Sequence, residues 1–250
     1  MSVRTETSGP VLLITIDRPE TRNAVDAAVA HGLADAVDQL EQDNALRVGV
    51  LTGAGGTFSA GMDLKAALAG QSPDVPGRGF AGLAQAEMTK PLVAAVEGWA
   101  LGGGFELALA CDLIVAAEDA KFGLPEVKRG LIAGGGGAIR LPQRIPHHLA
   151  MELLLTGDPV DGRRAAELGL VNRLVAPGET AATATELAQR IAGNAPLALA
   201  AVKRVVRGLN NEAGAFATQA EELAALKASD DMREGMRAFA ERRDPVWRSA

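Results

Sequence analysis

Two glutamates sit among residues that would strip water from a carboxylate or fix it at a helix start. Glu106 lies in GGGFELALA, flanked by Gly103, Gly104, Phe105, Leu107, Ala108 and Leu109. Poor solvation raises a carboxyl pKa and suits it to acid/base work. A buried Glu paired with an Arg elsewhere fits the same neighbours, and the residues alone weigh the two readings evenly. Glu126 follows Pro125 in FGLPEVKR. Pro and an acidic residue both suit a first helical turn, which by itself accounts for Glu126. Two backbone segments add to the pair. In FSAGMDLK, Gly61 gives conformational freedom and Asp63 stands where a helix would begin, which on sequence alone reads as an ordinary cap. In GGGFELALA, three glycines before a helix let a ligand approach the backbone where negative charge is favoured. Two carboxylates with two backbone anion sites would supply acid/base groups and an oxyanion hole.

Other chemistries lack their patterns. There is no GxxxxGK[ST] and no HExxH, so His31, His147 and His148 have no zinc context. Ser59 misses the GxSxG nucleophile elbow because Thr57 occupies the first glycine position. The run Gly134 to Gly137 reads as close packing or as the start of the helix AIRLPQRI. Cys111, in LALACDLIVAA, reads as a buried core thiol; as the single cysteine it forms no intrachain disulfide.

These residues must be positioned by an α/β framework. Val11 to Ile16 reads as a strand, and Val29, Leu33, Val37 and Leu40 recur at helical spacing. RVGVLTG, PLVAAVEG and DLIVAAE read as strands, each followed by a loop and a helix, which points to an α/β core. GQSPDVPGRG (Gly70 to Gly79) reads as an irregular, mobile loop. From residue 194 the strand signals stop. APLALAAVKRVV, AFATQAEELAALKAS and DMREGMRAFAERR read as three helices. They are too few for a core of their own and are expected to pack on the body or on another subunit. The expected division is residues 1–193 for the core and site, and 194–250 for a helical oligomerisation region.

Composition narrows the class. In 250 residues, 48% are hydrophobic but only 3% aromatic, with no Tyr, so Leu, Val, Ile, Ala and Gly must fill the core. A net charge of -6 argues against a general nucleic-acid binder. The start MSVRTETSGP lacks the apolar stretch of a signal peptide, and no apolar run reaches the ~18 residues of a membrane span. A cytoplasmic protein with no membrane association is expected.

Taken in order, FSAGMDL, EGWALGGGFELALACDLIVA and FGLPEVKRGLIAGGGGAIRLP resemble the crotonase (enoyl-CoA hydratase/isomerase) superfamily. LTGDPVDGRRAAELGLVNRLV and DRPETRNAVD extend the similarity over nearly the whole chain. The resemblance implies a spiral of ββα turns with a C-terminal helical trimerisation region, assembled as a homotrimer or dimer of trimers. It implies an acyl-CoA thioester substrate in fatty-acid metabolism, with coenzyme A part of the substrate and no separate cofactor or metal. It implies an oxyanion hole from the backbone N–H groups of Met62 and Gly103. Glu106 and Glu126, 20 positions apart, match the glutamate pair of the family's hydratases. By motif position, Arg22, Ala24, Ala60, Gly61, Asp63, Leu64 and Lys65 fall near the CoA ester, and Arg242 at a position that reaches a neighbouring subunit's CoA phosphates. The chain departs from the family at Met62, where Ala is frequent, at Ala133, and at Glu97 and Trp99, where Asn and Tyr are usual. Trp99 is expected in the core or on the acyl tunnel. The expected activity is hydration of a 2-enoyl-CoA. An enoyl-CoA isomerase, a carnitinyl-CoA-type dehydratase and a non-catalytic CoA-ester-binding protein are the alternatives.

Overall fold

The computed structural model describes residues 2–194, 196–208, 224 and 227–243. It begins with an antiparallel hairpin, β1 (Val3–Ser8) and β2 (Val11–Ile16). Helix α1 (Ala27–Gln42) follows, capped by Asp26, which accepts from Val29 N. Then come β3 (Val48–Gly53), α2 (Leu64–Leu68) and a short hairpin, β4 (Asp74–Val75) and β5 (Gly79–Phe80). That hairpin falls largely within Gly70 to Gly79, the stretch expected to be an irregular loop, because its pairing depends on a two-residue register too short to show in the sequence.

The next turns repeat a pattern. Strands β6 (Leu92–Val96) and β7 (Trp99–Leu101) lead into α3 (Gly103–Ala110). Strands β8 (Leu113–Ala117) and β9 (Lys121–Gly123) lead into a 3-10 helix (Pro125–Arg129), α4 (Gly137–Arg144) and α5 (His147–Thr156). After them come β10 (Val160–Asp161), α6 (Gly162–Glu167), β11 (Arg173–Val175), α7 (Thr180–Ala192), α8 (Pro196–Gly208) and α9 (Asp230–Glu241). The middle C-terminal segment, AFATQAEELAALKAS, lies largely outside the described residues.

Strands β1-β2-β3-β6-β8-β11 make one sheet, parallel beyond the first pair. The second strand of each turn stacks on that of the next: Val25 bridges Met62, Ser59 bridges Ala100, and β7 pairs with β9. This is a spiral of ββα turns. The strands of β3 and β6 are buried on both faces, as a covered parallel sheet requires. On one face Val50, Val93, Ala95 and Val115 pack against Ala184, Ala188 and Ala192 of α7. On the other, Leu51, Ala94 and Val96 share a core with Val29, Leu33, Val37 and Leu40 of α1. The alanine stripe of α7 provides close helix-to-sheet packing in a chain with so few aromatics. Among the described residues no helix is long and apolar enough to cross a membrane.

Candidate active site

The spiral brings residues far apart in sequence onto adjacent backbones. Segments 22–25 and 60–63 form a ladder: Ala60 N donates to Arg22 O (2.9 Å), Val25 N to Gly61 O (2.8 Å) and Asp63 N to Val25 O (2.9 Å). The Met62 N–H, between two of these bonds, donates to nothing among the described residues. Gly61 has a φ of +87°, and a Cβ there would lie 2.5 Å from Leu101 O and 2.9 Å from Gly103 N. Glycine is therefore required, and its absent side chain lets the Met62 turn abut the start of α3. Gly103 is the first residue of α3, so its N–H is one of the helix's unpaired donors. Two amides without a partner among the described residues thus lie side by side.

Ser59 fixes this turn. It is fully buried, its Oγ donates to Asn23 O at 2.8 Å and accepts from Gly61 N at 3.1 Å. A hydroxyl so engaged is a structural brace rather than an exposed nucleophile. Asp63 is equally committed: it caps α2 by accepting from Lys65 N and Ala66 N, and pairs with Arg18 at 3.3 Å.

The amides and both glutamates border one cavity of about 580 Å³, lined by Met62, Gly103, Glu106 and Glu126 among others. Glu106 is only 3% exposed, on the inward face of α3. Its Oε1 accepts from Gly137 N at 2.8 Å, so the glycine run both packs closely and aims the start of α4 at a carboxylate. Burial pushes the Glu106 carboxyl up to about 7, against the opposing pull of the Gly137 and Gly135 amides and of Arg140. Glu126 projects from the 3-10 helix, with Oε1 3.1 Å from where a side chain at Gly102 would start. Its Oε2 is buried without a hydrogen-bond partner. Burial first, and then the like charge of Glu106, push Glu126 up to about 8. Two interacting carboxyls of this kind titrate as a pair.

Other candidate residues lie off the cavity. Arg22 and Lys65 are exposed, Ala24 is buried, and with Ala60, Gly61, Asp63 and Leu64 they form the ladder and helix start beside the Met62 turn, not the cavity wall. Arg242 is exposed just past the end of α9, with a left-handed backbone. Trp99 is a correction: it is 39% exposed and does not line the cavity. The alternation of β7 buries Ala100 and turns Trp99 outward, a phase that three residues cannot reveal in a sequence. Glu97, the neighbouring departure, accepts from Gly178 N at 2.9 Å and Thr180 N at 3.3 Å, anchoring the start of α7.

The apolar wall of the cavity is not legible in the sequence. It comes from Phe80 of the small hairpin, from Leu131 and Ile132, and from Met232, Met236 and Ala240 of α9. Their helical spacing in DMREGMRAFAE was a visible signal, but such a stripe by itself says only that α9 has a covered face.

Fold and site together define a class: a ββα-spiral protein with two backbone amides and two buried carboxyls bordering one cavity. Residues 6–250 match the family model described as Enoyl-CoA hydratase/isomerase, and the chain belongs to that family. It is 44% identical to a carnitinyl-CoA dehydratase of Salmonella heidelberg over 96% of each chain. Among solved structures, it resembles a carnitinyl-CoA hydratase from Mycobacterium avium (TM-score 0.96, 45% identity, 100% and 99% of the two chains). It also resembles an enoyl-CoA hydratase from Mycobacterium tuberculosis H37Rv (TM-score 0.81, 54% identity, 100% and 99% of the two chains).

Proposed function

We propose that this enzyme adds water across the double bond of a 2-enoyl-CoA thioester. The observation that carries this reading is the meeting of Glu106 and Glu126 with two unpaired amides, Met62 and Gly103, on one cavity. The thioester oxygen sits between the amides. As water adds to the β-carbon, charge builds on that oxygen, and fixed donors stabilise it without reorganising; one such donor typically contributes ~2.7–4 kcal/mol. Glu126, whose Oε2 is buried without a hydrogen-bond partner, carries a proton and delivers it to the α-carbon. Glu106 takes a proton from the attacking water, whose oxygen bonds the β-carbon. The proton gained by Glu106 then restores Glu126, so each turnover consumes one water and no net proton.

Coenzyme A enters as part of the substrate, with no separate cofactor. Arg22, Lys65 and the backbone from Ala60 to Leu64 border its path, Ala24 backs the ladder, and Arg242 serves a neighbouring subunit's CoA phosphates. The protein works in the cytoplasm as a homotrimer or dimer of trimers, with residues 194–250 as its assembly region and 1–193 as its core.

The test is loss of the conjugated-thioester absorbance when purified protein meets a panel of enoyl-CoAs of different chain length. Binding across the panel with no turnover would sink the reading. A second reading, dehydration of a carnitinyl-CoA-type thioester, is favoured by the 44% identity to a protein so named and by Asp74 on the cavity wall, a carboxylate suited to a cationic acyl group. Arg233 and Arg237 on the same wall oppose it. Including that thioester in the panel separates the two.

A further inference from the structure

The 3-10 helix that carries Glu126 also carries Arg129, and in such a helix side chains three apart eclipse. Arg129 is held from several sides. Its guanidinium donates to Pro125 O at 3.3 Å, and the Phe239 ring of α9 stacks on it with the centroid 4.7 Å from Cζ. Gly235 of α9 lies on the Arg129 backbone so closely that a Cβ there would sit 2.9 Å from its Cα and collide with its carbonyl. The Arg129 Nε is buried without a hydrogen-bond partner, as is Glu126 Oε2. The next residues of α9, Met232, Met236 and Ala240, wall the cavity. One helix therefore closes the acyl side of the site and grips the cation beside its acid.

We propose that Arg129 is a positioning residue for Glu126, pinned by Phe239 so that docked α9 keeps a fixed positive charge beside the carboxyl. The proposal rests on Glu126 being the proton donor. Burial alone would leave Glu126 so weak an acid that it holds its proton; a nearby cation restrains that rise. A cation pinned under an aromatic ring keeps its place better than one free to reach water.

The other charged side chains about the cavity are Glu106, Asp74, Lys227, Arg233 and Arg237. Glu106 on α3 acts on Glu126 as a like charge. On α9, Arg233 pairs with Asp230 and Glu234 with Arg243, while Arg237 is exposed. On α5, His147, His148 and Glu152 are exposed, and Lys128 pairs with Asp158 at 2.5 Å.

The test is a carboxyl-carbon NMR titration of glutamate-labelled protein, with the Glu126 signal assigned by its loss in Glu126→Gln. Arg129→Gln is expected to raise the Glu126 midpoint by roughly half a pH unit or more. Arg129→Lys, which keeps a charge, should stay closer to the parent. Phe239→Ala should move the midpoint upward with Arg129 intact, and it serves as the probe if Arg129→Gln does not fold. An unmoved midpoint in Arg129→Gln overturns the proposal. So does an equal rise in Arg129→Lys, which would mark a packing effect, or an unmoved midpoint in Phe239→Ala, which would remove the pin. Enoyl-CoA turnover is followed on the same samples. A shifted midpoint in a protein that turns over no enoyl-CoA defeats the hydratase reading and leaves the Arg129–Glu126 coupling standing. An unshifted midpoint in an active enzyme defeats the coupling alone.

Discussion

At the scale of single residues, the two carboxyls make a dated claim on pH. Both lie well above the ordinary carboxyl value of 4.5, Glu106 up to about 7 and Glu126 up to about 8, because burial penalises their charged forms. The proposed reaction needs the singly protonated pair, so kcat/KM should be bell-shaped with its maximum between about 7 and about 8. A profile flat from acid to alkaline pH would contradict that. Stability follows the same groups with a definite sign. A raised folded-state pKa means the stability tied to the neutral form is present below about 4.5 and is lost as pH rises through about 8. Glu126→Gln cannot ionise, so it should abolish turnover, keep CoA-ester affinity and melt higher than the parent at alkaline pH. The gain is on the order of a few kcal/mol and vanishes in acid. Thermal melts across pH check the sign: a less stable variant at alkaline pH would be the wrong one. Ser59 supplies a contrast. Ser59→Ala should still turn over substrate, since Oγ does no chemistry, but lose about 1–3 kcal/mol of stability because Gly61 N and Asn23 O lose their buried partner. Complete loss of turnover in a folded Ser59→Ala protein would reopen a nucleophilic role.

At the scale of elements, the site depends on turns whose geometry tolerates little change. Gly61→Ala places a methyl against Leu101 O and Gly103 N in a backbone with positive φ. It should cost more than the ~1–3 kcal/mol of ordinary overpacking and separate the two amides. Turnover should fall by at least about a hundredfold, the typical loss for one oxyanion donor. Near-parental kcat in a folded variant would place the hole elsewhere. On the opposite wall, α9 contributes Met236, 7% exposed, to the cavity. Met236→Trp should shift preference toward shorter acyl groups, read as the ratio of kcat/KM for long and short enoyl-CoAs; an unchanged ratio would mean the acyl group lies away from α9. These elements differ in legibility. Strand β3 and helix α1 were plain because periodic apolar residues report burial directly. The β4–β5 hairpin and the outward phase of Trp99 were not, because two or three residues carry no usable period.

At the scale of the whole molecule, the site is assembled from separate turns of the spiral and from α9. The sequence by itself determined the α/β class and the glycines at the tight approaches, while its family resemblance implied the ββα turns and singled out the two carboxyls. The first are local, since apolar period and glycine's missing side chain are read within a short window; the second rests on motif order along nearly the whole chain. Only the tertiary structure decided that the Met62 and Gly103 amides are unpaired and adjacent, and that Glu106 answers to Gly137. Only it turned Trp99 to the surface and laid α9 over Arg129 and the cavity. Those facts concern pairs of residues from different turns. Burial, hydrogen-bond satisfaction and electrostatic coupling belong to the pair rather than to either residue, and they exist only once the spiral closes.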